Sequence, residues 1–396
     1  MTNTVNTAQA NSTAKTGQAV HIGIIGCGNI SPRYFEACQR FDNLQLVGCA
    51  DIDASRAQAR ASEFGTTAYG VDEMLARPDI DIIINLTIPK AHGDIGIRAV
   101  RAHKSVYNEK PLALTREEAG HMLSLAKHNG VRVGGAPDTF LGAGIQTCLK
   151  LIQDGAIGEP IGATAFMMGH GHESWHPDPD FYYQPGGGPM FDMGPYYLTA
   201  LVALMGPVRR VTGSARITFP ERTITSKPKH GQTITVRVPT HVAGVLDFAN
   251  SAIATILTSF DVWKHSHPPI EIYGSEGSLQ VPDPNTFGGP VRIANVATRA
   301  ANVAPQTATS REMDWTDVPL THSYAQQSRG LGVADMGAAL KTGRAHRANG
   351  ELAFHVLDIM HAIHDASLEN RHIELTSTCP QPPGLPVGLA DGQVEW

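Results

Sequence analysis

The chain is poor in aromatic residues, at 6%, and in charged ones, at 17%. Both signs of charge are interspersed and the net charge is -6. There is therefore no basic face for nucleic acid or an anionic membrane to meet. No apolar run approaches the ~18 residues needed to span a bilayer. The five cysteines, Cys27, Cys38, Cys49, Cys148 and Cys379, are odd in number, scattered, and without metal-ligand spacing. Reduced thiols in a cytoplasm fit them best. Residues 1–18 hold no hydrophobic stretch and no twin-arginine pair. They do not read as a secretory signal, and a disordered tail is expected there.

What is present is a chain of 396 residues, 42% apolar. That length exceeds one ordinary core, so two domains are expected. From His21 a short apolar run, Ile22 to Ile25, meets a glycine turn and then a helix-like segment. Leu44–Asp51 and Asp81–Thr87 read as a second and third strand, with Ala54–Phe64 helical between them. Helices around His92–His103 and Glu117–Asn129 follow, with strand-like SVYN and VRVGGA after them. Nearly continuous apolar strands alternating with helices predict a doubly wound parallel α/β Rossmann sheet over 19–138. Beyond it, Gly/Pro-rich loops fill Gly169–Pro195 and longer segments alternate apolar and polar residues. An α+β domain with a large, mainly antiparallel sheet is expected over 139–396. His355, His361 and His364 fall in a late helix, Gly350–Ser367, and read as packing or surface residues.

The glycine turn is the first chemical signal. Gly26, Gly28, Asn29 and Ile30 follow a strand and open a helix, and Ser31 stands where a third glycine is usual. Small residues let a backbone approach a pyrophosphate whose charge faces helix N–H groups. Asp51, closing the second strand, would accept the ribose hydroxyls and repel a 2′-phosphate. NAD(H) is therefore favoured. Arg56 keeps NADP(H) open, because a guanidinium pairs with phosphate.

Three further segments complete a pattern: Thr87-Ile88-Pro89-Lys90-Ala91-His92, Glu109-Lys110-Pro111, and Gly186-Gly187-Gly188-Pro189-Met190-Phe191-Asp192-Met193-Gly194-Pro195-Tyr196. With the glycine loop they resemble the Gfo/Idh/MocA oxidoreductase family over about residues 20–375. The resemblance implies that Thr87, Pro89 and His92 lie along the cofactor. It implies that Glu109 and Pro111 shape the cofactor's edge and that Lys110 sits beside the nicotinamide and the reacting carbon. It also implies that Asp192 faces substrate. The family's common pattern, D-x-G-x-H, here ends in Tyr196, as it does in some members. A phenol starts near pKa 10, and a nearby ammonium favours phenolate. Tyr196 is thus the expected proton carrier, with Tyr197 its adjacent competitor.

Upstream, GHGHESWHPDPDFYYQP reads as a substrate loop. Trp175 and Tyr183 offer flat apolar faces for a sugar, and His176 and Asp178 offer hydrogen bonds. A metal held by His170, His172 and His176 with Glu173 or Asp178 is the weaker alternative, so no metal is expected. Trp263 and His265 end a strand and are placed near the pocket. Arg329, before a helix-like GLGVADM, is a further candidate for substrate contact. The expectation is a cytoplasmic enzyme, NAD(H)-dependent, moving hydride to or from a sugar, glycoside or inositol-like polyol. It is expected to work as a homodimer or homotetramer, with no nucleic-acid or membrane partner. Two alternatives stay open: tightly bound NAD used for transient oxidation, and a ligand-sensing protein on the same fold.

Overall fold

The computed structural model describes residues 19–297 and 313–396; the tail expected over 1–18 lies outside the described residues. The first half alternates strictly: β1 (Val20–Ile25), α1 (Ser31–Arg40), β2 (Leu44–Ala50), α2 (Ala54–Phe64), β3 (Thr67–Tyr69), α3 (Val71–Ala76), β4 (Ile82–Asn85), α4 (Pro89–Arg101), β5 (Ser105–Asn108), α5 (Arg116–Asn129) and β6 (Val133–Gly135). All six strands are parallel, in the order β3-β2-β1-β4-β5-β6. The doubly wound sheet is as expected, but Asp81–Thr87 carries its fourth strand. The short β3 and α3 escaped the sequence reading because three exposed or half-buried residues leave no hydrophobic period. Strands β4 and β5 are buried throughout, which is why their apolar runs are unbroken. Local chemistry sets the helix ends. Pro89 sits in the first turn of α4, the Thr115 hydroxyl caps α5, and left-handed Gly130 ends it.

The second half holds α6 (Ala143–Gln153), β7 (Pro160–Met168), α7 (Gly188–Met205), β8 (Val208–Arg216), β9 (Glu221–Thr223), β10 (Thr233–Thr235), β11 (His241–Phe248) and β12 (Ile253–Ser259). It continues with β13 (Ile270–Gly274), β14 (Gly277–Val281), β15 (Val291–Asn295), β16 (Thr316–Val318), α8 (Leu331–Thr342), α9 (Gly350–Glu369) and β17 (Ile373–Glu374). Nine of these strands form one sheet, β16-β15-β14-β13-β7-β12-β11-β8-β17, antiparallel except for the parallel β7–β12 pair. Strand β11 alternates half-buried and buried along its length, so one face is packed. Helices α7 and α9 cover that face, and α7 is apolar nearly all round, as a buried helix must be.

One expectation is corrected here. The Gly/Pro-rich loop ends at Gly187, not Pro195, because α7 starts at Gly188 and carries Pro195 inside it. The two halves of the chain also touch. Helix α8 returns to pack on β6, and the Asn43 side-chain amide donates to its Ala334 carbonyl at 2.8 Å. All five cysteines are buried, and none is in a disulfide. Among the described residues no helix is long and apolar enough to cross a membrane.

Buried histidines make this fold acid-sensitive. His355 accepts the Val208 N–H at 3.0 Å, and His346 lies 3.1 Å from the Val133 carbonyl. Burial lowers the pKa of each to about 4. Between the unfolded value near 6.5 and 4, the unfolded chain binds protons that the folded one refuses, so stability falls as pH falls. Each histidine is expected to contribute a slope of up to ~1.4 kcal/mol per pH unit in that window. Denaturant unfolding at pH 7.0, 5.5 and 4.5 would check it; equal stability at all three would contradict it.

Candidate active site

The carboxyl ends of β1, β4 and β5 open toward α7. In that crevice lies a cavity of about 430 Å³. Gly28, Asn29, Ile30, Thr87, Pro89, His92, Glu109 and Lys110 line it from the parallel sheet. His176, Tyr182, Asp192 and Tyr196 line it from the other side. Position at the strand ends of an open parallel sheet is where such folds bind ligands.

The glycine loop is shaped for close approach. Gly26 has φ +104°, and a Cβ there would come within 2.5 Å of the Leu86 backbone. Gly28 has nothing within 4 Å of its missing Cβ, so its backbone stands bare to the cavity. Ser31 is fully buried, and its hydroxyl donates to the Gly28 carbonyl at 2.8 Å. That bond closes the turn and explains how serine replaces the third glycine. Asp51 accepts the Cys27 N–H at 2.7 Å and the Asp53 N–H at 2.9 Å. A bare N–H-rich turn beside a strand-end carboxylate fits a dinucleotide: phosphates against Gly28–Ile30, ribose toward Asp51. A hollow beside Cys27–Asn29 is lined by Arg56 and Arg60, and Arg56 lies 3.5 Å from Asp53.

Two buried asparagines stitch the strand ends. Asn85 donates to the His92 carbonyl at 3.1 Å and to Asn108 Oδ1 at 3.0 Å. Asn108 donates to the Leu112 carbonyl at 2.8 Å. The buried His92 ring bridges the Pro111 and Thr87 carbonyls at 2.7 and 2.9 Å. His92 thus ties the Thr87 loop to the segment carrying Lys110. Glu109 accepts the Tyr34 O–H at 2.7 Å and the Lys110 N–H at 2.9 Å, which anchors that segment to α1. The Lys110–Pro111 peptide is cis.

Lys110 then crosses the crevice. Its Nζ donates to Asp192 Oδ1 at 2.8 Å and to the Asp192 carbonyl at 2.7 Å. It also lies 5.4 Å from the centre of the Tyr196 ring. Burial pulls the lysine pKa down, but the Asp192 carboxylate, with Tyr196 and Glu109, outweighs burial and leaves it above the usual value. Lys110 is therefore a fixed ammonium at neutral pH, a donor and not a base. Asp192 and Tyr196 reach the cavity because they stand one turn apart on α7. Tyr197 does not line it; burial, then Asp283, pushes its pKa up.

The loop before α7 supplies the other wall, with a different cast from the one expected. Tyr183 is fully buried, and its hydroxyl accepts the His172 N–H at 3.3 Å, so it offers no face to a ligand. Its neighbour Tyr182 lines the cavity, its pKa pushed up to about 12 by burial and then Asp192. Sequence alone does not distinguish adjacent tyrosines in a short 3₁₀ turn. His172 stacks on Tyr182, ring centres 3.7 Å apart, and its Nε2 lies 3.7 Å from Asp192 Oδ2. Burial lowers its pKa to about 4, so it is neutral. His176 lines the cavity; Trp175 is 62% exposed and does not. Asp178 pairs with Lys229 at 2.6 Å. Trp263, 82% exposed, stacks on His170 and lines a second cavity behind the loop. His265 stands exposed beside His267. Neither reaches the first cavity, because β12 ends behind the loop. Among the described residues no group of three His, Cys, Asp or Glu converges on an ion position.

Buried charge holds this loop in place. Arg222 donates to Glu173 at 2.6 Å, to the Phe260 carbonyl at 2.9 Å, and to Asp261. Arg329 lies on the far side of Tyr196, its Nη2 3.5 Å from the phenol oxygen.

Comparison with known proteins gives the chain that carries this cleft a family. Residues 20–135 match the model of the oxidoreductase family with an NAD-binding Rossmann fold, and residues 145–280 match the GFO/IDH/MocA C-terminal domain. The chain belongs to the GFO/IDH/MocA oxidoreductases, and its first domain is an NAD-binding Rossmann domain. It is 32% identical over 146 residues to 1,5-anhydro-D-fructose reductase of Ensifer adhaerens, a match spanning 36% of this chain and 44% of that enzyme. It is 23% identical over 394 residues to D-apiose dehydrogenase of Paraburkholderia graminis, spanning 97% of each. Its fold resembles a levoglucosan dehydrogenase solved with NADH, at TM-score 0.75 and 20% identity, covering 91% of this chain and all of that one.

The ion pair makes a direct prediction. Asp192→Asn removes the carboxylate that keeps Lys110 protonated, so the lysine should titrate at lower pH. NMR of the ¹³C-methylated lysine would read the change; an unmoved titration would rule out Asp192 as the cause.

Proposed function

We propose that this protein is an NAD(H)-dependent dehydrogenase or reductase acting on a secondary hydroxyl or ketone of a sugar, glycoside or inositol-like polyol. The observation that carries the reading is the convergence of Lys110, Asp192 and Tyr196 on one cavity that opens onto the glycine loop. Gly28, Asn29 and Ile30 would hold the phosphates, Asp51 the ribose, and Thr87, Pro89 and Glu109 the flank of the nicotinamide. Bound there, nicotinamide supplies the chemistry of taking or returning a hydride.

The chain's own groups manage the proton and the oxygen. Lys110, fixed as an ammonium, donates to the reacting oxygen and stabilises negative charge building on it. Since it carries no free lone pair, the hydroxyl proton goes elsewhere. Tyr196, at the same cavity wall, takes it in oxidation and returns it in reduction. Asp192 aims Lys110 and accepts from a neighbouring substrate hydroxyl. His176 and the face of Tyr182 meet the rest of the polyol, its hydroxyls and its C–H side respectively.

NAD is preferred over NADP because Asp51 would face a 2′-phosphate. The Arg56 and Arg60 hollow tempers that preference.

A panel of polyols and glycosides with NAD and NADP tests the reading. Lys110→Met is expected to lower kcat at least ~100-fold, in line with the loss of a positioned donor. Tyr196→Phe should fall similarly with NAD affinity retained; collapse of NAD binding would make the residue structural. Asp51→Ala should narrow the NAD:NADP ratio of kcat/KM by about tenfold or more, the effect of losing roughly one charge-assisted contact. Near-normal turnover by Lys110→Met would refute the assignment.

A further inference from the structure

Arg329 is a half-buried guanidinium that makes no ion pair among the described residues; its hydrogen-bond partners are the neutral oxygens of Asn285 and Tyr196. Its Nη2 carries two hydrogens. One goes to Asn285 Oδ1 at 2.7 Å, the other toward the Tyr196 oxygen at 3.5 Å. The residue is fixed at both ends of its backbone. The Arg329 N–H donates to Gln327 Oε1 at 3.1 Å, and the N–H groups of Gly330 and Gly332 donate to the buried Asp138 carboxylate at 2.8 and 2.9 Å. Gly330 has φ +98°, and a Cβ there would meet Ala37 at 2.3 Å, so the chain turns into α8 along one path only. Asn285, between β14 and β15, holds the guanidinium from the opposite side. Arg329 does not line the cleft cavity, whereas Tyr196 does.

We propose that Arg329 is a positioning residue for proton transfer: it donates to the Tyr196 oxygen from behind, turns the phenolic proton toward the cavity, and stabilises the phenolate. This rests on Tyr196 being the proton carrier. A donor that binds the charged form favours that form. The phenol oxygen accepts from Arg329, so its own O–H is free for the side where substrate sits. In oxidation the O–H bond of the substrate breaks, its proton joins the phenolate, and the hydride departs to the nicotinamide; in reduction both return.

The other groups around Tyr196 do not duplicate this role. Lys110, from the β5–α5 loop, lies over the ring and is committed to Asp192. Asp192, one turn earlier on α7, opposes phenolate. Tyr182 and His172, from the loop before α7, are neutral at neutral pH. Glu109, which lines the cleft, and the buried Asp138 both act on the Arg329 charge. Burial alone would lower the pKa of Arg329, but Tyr196, Glu109 and Asp138 together raise it, so its charge is permanent.

The test is an ultraviolet pH titration of the tyrosinate band in the full-length protein, with and without NAD. Subtracting Tyr196→Phe isolates Tyr196. In Arg329→Gln the Tyr196 titration is expected to move up by about one unit or more. The acid limb of the kcat/KM profile should move with it, and Arg329→Lys should restore part of the shift. Arg329→Gln on a Tyr196→Phe background should cause no further loss. A Tyr196 titration unchanged in Arg329→Gln overturns the proposal. If Tyr196→Phe is nonetheless inactive, the functional reading survives that result. Near-normal turnover by Tyr196→Phe overturns both.

Discussion

The pairing of Lys110 with Asp192 is the constraint on which the cleft depends. One partner comes from the end of a parallel strand, the other from a helix packed on the second sheet. Burying both charges costs several kcal/mol before their attraction is counted. The second hydrogen bond, to the Asp192 carbonyl, helps to offset that cost. Removing either partner would leave an uncompensated charge, so the pair also fixes the distance between the two walls. It settles a chemical question too. A lysine held as ammonium polarises an oxygen but takes no proton, and the division of labour proposed for Lys110 and Tyr196 rests on that.

Support beneath this pair is polar and dry. Asn85, Asn108 and His92 use their side chains on backbone carbonyls, which ties the loops after β4 and β5 together. Glu109 adds a link to Tyr34 on α1, the helix that the glycine loop opens. The phosphate end and the reacting end of the crevice are thereby coupled through buried hydrogen bonds, each of which would leave an unpaired polar group if broken.

Much of this was legible in the sequence, for physical reasons. Buried parallel strands must be apolar throughout, and a tight approach to phosphate must be small, so the first sheet and its glycine turn announce themselves. Asp192 and Tyr196 were legible through the family resemblance alone; that they stand one turn apart on α7 is what the structure adds. The loop was not. Whether Tyr182 or Tyr183 meets the cleft depends on one residue of twist in a 3₁₀ turn. Whether Trp263 reaches it depends on where β12 stops. His172 and Arg329 make contacts across long separations in sequence, which no local pattern encodes. The short β3 and α3 bury too little apolar surface to leave a period.

That loop shows how a wall of mixed composition is made rigid. Arg222 is buried between Glu173 on the loop and Asp261 beyond β12, with the Phe260 carbonyl as a third acceptor. The cluster ties the loop's first turn to a strand of the sheet. His172 follows from it: its N–H is spent on Tyr183, its ring is clamped by Tyr182 and Phe260, and burial keeps it neutral. A neutral imidazole beside Asp192 leaves that carboxylate to Lys110. A protonated one would compete for it and weaken the ammonium's hold on its place. The charge buried behind the loop thus protects the charge pair in front of it.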